Sequence, residues 1–164
     1  CSRAIEAQRI AESDGLVERT EAGLRLRLDG GDWVVLQDRQ DRFMSSYSYL
    51  GYLPRLRYYV LHQQYPEGSA VRVVHSPSGW SKTIDDLPVA GPRGRLVAVA
   101  ADGYYTRVAI VLYSVAEDTL VLEWETEPVD WAPVEAFWLG ADRFGVLREY
   151  VLACEFMGNR GPEC

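Results

Sequence analysis

Leu24-Arg25-Leu26-Arg27-Leu28, then Asp29-Gly30-Gly31-Asp32, then Trp33-Val34-Val35-Leu36 is the stretch that decides the fold. The first five residues alternate apolar and charged, the period of a strand with one face buried. The Asp-Gly-Gly-Asp segment has the chemistry of a tight turn, and the apolar run after it reads as the returning strand of a hairpin. Similar runs continue to the end of the chain, at 56–65, 70–75, 95–101, 107–115, 119–126 and 143–152. Turn chemistry separates them: Pro66-Glu67-Gly68-Ser69, Ser76-Pro77-Ser78-Gly79, Gly91-Pro92-Arg93-Gly94, Asp102-Gly103 and Ala116-Glu117-Asp118. Nothing after Leu24 sustains a helical period, so the expectation is an all-β domain over residues 23–164. Residues 1–22 are polar with scattered Ile5, Ile10, Leu16 and Val17. They read either as a short helix broken at Ser13-Asp14-Gly15 or as an extended tether.

The 164 residues suffice for one domain with a sizeable core. A net charge of −7 argues against nucleic-acid binding, which needs a basic face, and against a polybasic membrane-binding surface. No apolar run approaches the ~18–20 residues of a membrane-spanning helix. Membrane attachment, if present, has to come through lipid.

The strands also recur. Ala90-Gly91-Pro92-Arg93-Gly94-Arg95-Leu96 lines up with Trp138-Leu139-Gly140-Ala141-Asp142-Arg143-Phe144, and 71–84 lines up with 109–122. Spacings near forty residues suit the blades of a β-propeller, about 40–50 residues each. An ordinary antiparallel sandwich has regular strand spacing too. The segment Pro88-Val89-Ala90-Gly91-Pro92-Arg93-Gly94-Arg95-Leu96-Val97-Ala98-Val99 resembles the Ser-Pro-Asp-Gly-Lys/Arg turn of many propeller blades. Gly91 stands where Ser is usual and Arg93 where Asp is usual. With Tyr49-Leu50-Gly51-Tyr52-Leu53-Pro54, Tyr65-Pro66-Glu67-Gly68-Ser69, Trp131-Ala132-Pro133 and Trp138, residues 45–150 resemble a group of uncharacterised bacterial envelope lipoproteins with β-propeller-like repeats. The resemblance implies a partial or open propeller-like array of antiparallel sheets, since the chain has room for three or four blades.

Cysteine usage gives a compartment. The sequence begins with Cys1, as a mature bacterial lipoprotein does after its signal peptide is removed. That resemblance implies lipidation of Cys1, membrane attachment through that lipid, and residence in the bacterial cell envelope. Ser2 replaces the Asp that often marks inner-membrane retention, which favours the periplasmic face of the outer membrane. Cys154 and Cys164 flank a short segment containing Gly158, Gly161 and Pro162. An oxidised pair there would close a small loop and contribute about 2–3 kcal/mol. Assigning Cys1 to lipid also resolves the odd cysteine count.

Marks of catalysis are sparse. The sequence has no Gly-x-Ser-x-Gly elbow, His-Glu-x-x-His helix or phosphate-binding glycine loop. His62 and His75 fall inside strand-like runs and read as packed residues. Carboxylates cluster at Asp29/Asp32, Asp38/Asp41, Asp85/Asp86 and Glu117/Asp118. Glycosidases use two carboxylates ~5–10 Å apart, but acidic residues at turns are ordinarily solvated. Neither a metal nor a cofactor is expected.

Tyr47, Tyr49, Tyr52, Tyr58, Tyr59 and Tyr65 crowd into nineteen residues. Tyrosine offers contact area and a hydroxyl at low entropic cost, so exposed clusters suit recognition of a protein or glycan. Adjacent Tyr58 and Tyr59 point to opposite faces of a strand, so at least one is expected to be exposed. The alternative is that all six pack a small core. Trp124, Trp131 and Trp138 recur every seven residues and read as core and edge packing.

The expected function is that of a non-enzymatic, lipid-anchored envelope protein binding a protein partner through loops or the Tyr-rich region. The narrower expectation is an inhibitor or immunity protein against a secreted cell-wall-directed toxin. The alternatives are an accessory or structural lipoprotein of an envelope assembly and a carboxylate-dependent glycan hydrolase.

Overall fold

The computed structural model describes residues 2–40, 44–84, 87–100, 109–127, 131–149, 155–156 and 162–163. Cys1, Cys154 and Cys164 lie outside these residues. The chain opens with α1 (Ser2–Ala11), a run rich in good helix formers. Ser13 ends it: its Oγ donates to the Ile10 carbonyl at 2.6 Å and accepts from the Val17 N–H at 3.2 Å. Asp14 and Gly15 then take left-handed φ angles of 51° and 76°, turning the chain into a sheet.

That sheet is a meander of β1 (Val17–Thr20), β2 (Gly23–Arg27) and β3 (Trp33–Gln37). The hairpin read from the sequence is β2–β3, with Leu24 opposite Leu36 and Leu26 opposite Val34. Gly23 is obligatory there. Its φ is +142°, and a Cβ would lie 2.0 Å from the Leu36 carbonyl oxygen. A domain boundary at residue 22 does not hold, because β1 pairs with β2 in register Val17↔Leu26 and Val17 is in the core. The apolar pair Leu16-Val17 belongs to the first sheet, and the stretch before it is a docked helix in place of a free tether.

Two four-stranded antiparallel meanders follow. One runs through β4 (Ser46–Leu53), β5 (Tyr58–Tyr65), β6 (Gly68–His75) and β7 (Ser81–Ile84). The other runs through β8 (Pro88–Ala90), β9 (Arg95–Ala100), β10 (Ala109–Ala116) and β11 (Thr119–Thr126). A two-stranded sheet, β12 (Ala132–Trp138) with β13 (Phe144–Glu149), comes next. A short hairpin of β14 (Glu155–Phe156) and β15 (Pro162–Glu163) is last. The described fold is therefore mostly antiparallel sheet with one helix. No helix among the described residues is long and apolar enough to cross a membrane.

Successive sheets share cores, and the strand sequences record it. In β5, Tyr58 and Val60 join Val73, Leu96, Val111 and Leu120 between the two four-stranded sheets. Tyr59 and Leu61, on the other face, join Val17, Leu24, Leu26 and Val74 beside the first sheet. A strand covered on both faces needs an unbroken apolar run, which is why Tyr58-Tyr59-Val60-Leu61 does not alternate. Full burial contributes ~1.5–3 kcal/mol per large apolar side chain. The same division recurs in β9, where Leu96 and Ala98 face one core while Val97 faces another with Ile110 and Ala136.

Both internal echoes in the sequence correspond to equivalent places in the topology. The β8–β9 and β12–β13 connections carry matching hydrogen bonds, Gly91 N–H to Arg95 O at 2.8 Å and Leu139 N–H to Arg143 O at 2.9 Å. The other echo relates β6–β7 to β10–β11, the last two strands of each four-stranded sheet. Trp138 lies against Gly91 so closely that a Cβ there would be 2.1 Å from its ring. Its indole Nε1–H donates to the Val89 carbonyl at 3.2 Å.

Candidate partner-binding groove

The Tyr-rich segment divides between core and surface. Tyr58 and Tyr59 are 0% and 1% exposed, so the expectation that at least one is exposed is corrected. They do point to opposite faces, but a sheet packs on each. The Tyr58 hydroxyl donates to the Asp118 carbonyl at 3.2 Å, and the Tyr59 hydroxyl donates to the Arg27 carbonyl. Burial pushes both phenols up to about 12. Tyr49 is buried as well, and its phenol is raised, chiefly by burial and then by nearby Tyr52. Tyr52 is half-buried, its ring tilted against Tyr59 at 5.0 Å and its hydroxyl hydrogen-bonded to Ser76 Oγ at 3.0 Å. These four tyrosines hold the fold together.

Tyr65 is half-buried, and Tyr47, though 8% exposed and part of the core with Tyr49 and Tyr59, joins it in lining a groove of about 890 Å³. Its other walls include Val35, Leu36 and Gln37 from the first sheet and Arg39 just past it, with Met44, Gln63 and Glu67. That volume lies within the ~300–1,000 Å³ usual for ligand clefts. Val35 and Met44 are 49% and 51% exposed, so apolar surface is on offer. The floor is held rigidly. Gln63 Nε2 donates to the Tyr47 hydroxyl at 2.9 Å, Arg72 Nε donates to Gln63 Oε1 at 3.0 Å, and the Arg72 guanidinium lies 5.8 Å from the Tyr47 ring. The Tyr65 phenol is raised, first by burial, with Arg72 opposing and Tyr47 adding to the shift.

The groove exists because two strands part company. Just past β3, Arg39 and Ser45 form an isolated antiparallel bridge, exchanging N–H···O bonds of 2.7 and 3.1 Å. β4 then swings away to pair with β5, and three side chains hold it there. The Tyr47 N–H donates to Asp38 Oδ1 at 2.9 Å, and the Tyr49 N–H donates to Glu6 Oε1 at 2.9 Å. Arg19 donates to the Tyr47 carbonyl and to Glu6, and at 3.1 Å to Asp38 Oδ2. Glu6 is nearly buried, so this network also docks α1. Residues 6, 19 and 38 come from separate elements, and no spacing in the sequence marks them as partners. Met44 also escapes notice as a lone apolar residue, and Val35 reads only as one member of the apolar strand 33–36.

The histidines lie elsewhere. His75 is 6% exposed, packed 4.9 Å from the Tyr58 ring, with Nδ1 3.0 Å from Ser78 Oγ in the same turn. Its pKa is lowered, chiefly by burial, with Asp118 opposing and Arg57 adding to the effect. His62 is half-buried in β5. Among the described residues no group of three or more His, Cys, Asp or Glu is gathered for a metal ion. Trp131 and Trp138 pack at the β9–β12 core, whereas Trp124 is 46% exposed and touches Phe144 edge-on at 6.3 Å. Compared with known proteins, the chain matches no family model, no curated protein and no solved structure.

Proposed function

We propose that this protein is a non-enzymatic binding module of the bacterial envelope, and that its protein partner enters the groove beside β3. The observation that carries the reading is the groove itself. Tyr47 and Gln63, braced by Arg72, line it together with exposed Val35 and Met44. Apolar and aromatic walls with a few fixed polar groups are what recognition of a polypeptide segment requires. The envelope address rests on the resemblance of residues 45–150 to envelope proteins with propeller-like repeats and on the Cys154–Cys164 pair as read from the sequence. The role within that address is inhibition of a secreted cell-wall-directed toxin, or else service as an accessory lipoprotein of an envelope assembly.

For the architecture, the proposal is an open array of propeller-like blades. β4 begins at Ser46 and β8 at Pro88, 42 residues apart, a spacing within the propeller range of about 40–50. Each of the two sheets is a four-stranded antiparallel meander, the strand content of a blade.

The test is recovery of a partner from detergent-solubilised envelopes by the wild-type protein and by Tyr65→Ala. A protein bound by the wild type and lost from a folded Tyr65→Ala variant supports the groove. Equal recovery by both overturns it.

A further inference from the structure

We infer that the groove takes its partner as an added β-strand, an extended polypeptide segment that pairs with the open edge of β3; this rests on the reading of the groove as the partner site. The ladder of β2 with β3 gives the direction of every main-chain group. The Asp38 N–H donates to the Ala22 carbonyl at 2.8 Å, and the Leu28 N–H donates to the Asp32 carbonyl at 2.7 Å. Both pairs continue the register Leu24↔Leu36 and Leu26↔Val34. In an antiparallel ladder hydrogen-bonded pairs alternate with non-bonded ones, so Val34 and Leu36 turn their N–H and C=O toward β2. Trp33, Val35 and Gln37 turn theirs the other way, and β3 is the last strand of its sheet. Among the described residues, no partner strand meets those three.

The next residue in that series, Arg39, shows what the edge accepts. Its outward N–H and C=O both bond Ser45, so the chain itself forms one rung of an added strand there. The rungs that would follow are withheld, because the main chain of Tyr47 is taken by Asp38 and Arg19. The groove begins where that rung ends. Its wall includes the consecutive residues Val35, Leu36 and Gln37; since neighbouring side chains point to opposite faces, a cavity touching all three sees the strand edge-on.

Main-chain pairing supplies affinity in such a mode, and alternate side chains supply selectivity. Side chains of the incoming strand directed at the groove floor would meet Tyr47, Tyr65 and Met44, so they are apolar. The molecule carries a net charge of −7, which steers a segment with basic flanks toward it. The occupant is thus an extended segment, apolar at alternate positions and cationic at its ends.

The probe is a set of peptides selected on the whole protein from a random-sequence library, kept where Tyr65→Ala weakens binding. One is resynthesised with single N-methyl groups stepped along its backbone. Strand addition predicts a period of two: methylation at alternate amides weakens binding by about tenfold or more, the scale of a lost main-chain hydrogen bond, while intervening positions are tolerated. Val35→Pro removes an outward donor at an edge, where proline is accommodated, and is expected to weaken the same peptides with little change in thermal unfolding. Binding without the two-residue alternation overturns strand addition and leaves the groove standing. If no selected peptide responds to Tyr65→Ala, the groove reading fails and strand addition fails with it. Should Val35→Pro not fold, the methylation series still decides.

Discussion

Two strand edges flank the groove, and they have been treated in opposite ways. The β4 edge is closed at Tyr47 and at the Tyr49 N–H, where Glu6, Arg19 and Asp38, drawn from α1, β1 and the end of β3, bond the main chain. The β3 edge is left open over Trp33, Val35 and Gln37. Unprotected edges invite pairing with other chains, and proteins commonly blunt them with charged side chains. Here the charged cluster blunts one edge and, by holding β4 away from β3, creates the opening at the other. The difference teaches that openness at β3 is a consequence of how β4 is anchored, and each edge is therefore adjustable through the other.

Breaking the β2–β3 pairing should have the largest effect. Gly23→Val adds a side chain where a Cβ alone would lie 2.0 Å from the Leu36 carbonyl, at a φ of +142°. Strain and overpacking together are expected to cost about 3–4 kcal/mol in urea unfolding, with peptide binding lost as well. Next is Arg19→Met, which strips the closed edge of its cation and leaves nearly buried Glu6 without it. Side chains here are 32% exposed for Arg19 and 10% for Glu6, so solvent moderates the loss to about 2–3 kcal/mol. This variant should also make the Tyr47 and Tyr49 amides exchange with solvent faster.

A change far from both edges sharpens the contrast. Gly91→Ala forces Trp138 of β12 off its seat against Gly91 and β8, an overpacking cost of about 1–3 kcal/mol. Peptide affinity at the groove is expected to stay within about twofold. The smallest effect is a dependence on pH. Burial depresses the folded His75 pKa below the ordinary 6.5, so the unfolded chain takes up this proton first. The contribution is intact above pH 6.5 and is lost as pH falls from 6.5 toward the folded value. The unfolding temperature should drop over that window, and His75→Phe should flatten the drop; an unchanged slope in the variant would remove His75 from the account.

Legibility in the sequence follows the range of the interaction. The β2–β3 hairpin was readable because alternation and a Gly-Gly turn are local. β9, β10, β11 and β13 were readable as apolar runs bounded by turns, though β4 was not, its residues reading as part of a tyrosine cluster. Burial of both Tyr58 and Tyr59 was signalled by four unbroken apolar residues, 58–61. That signal loses to the rule that one strand face meets water unless the second covering sheet is known. β1 was missed because Leu16-Val17 is too short a run to announce a strand without its partner, Leu26. The groove was half legible, through Tyr47 and Tyr65. Its closed edge was not, since Glu6, Arg19 and Asp38 reach Tyr47 and Tyr49 across separations that only the folded chain brings together.

Native-state amide hydrogen exchange of the free protein tests the central claim most directly, since it reads the two edges side by side without a ligand. Val35 and Gln37 should exchange at least about a hundredfold faster than Val34 and Leu36 on the same strand, and faster than Tyr47 and Tyr49 across the groove, in keeping with the wide spread of local opening free energies within one fold. Equal protection of alternate residues along β3, or fast exchange at Tyr47 and Tyr49, would contradict the account of one open edge and one closed.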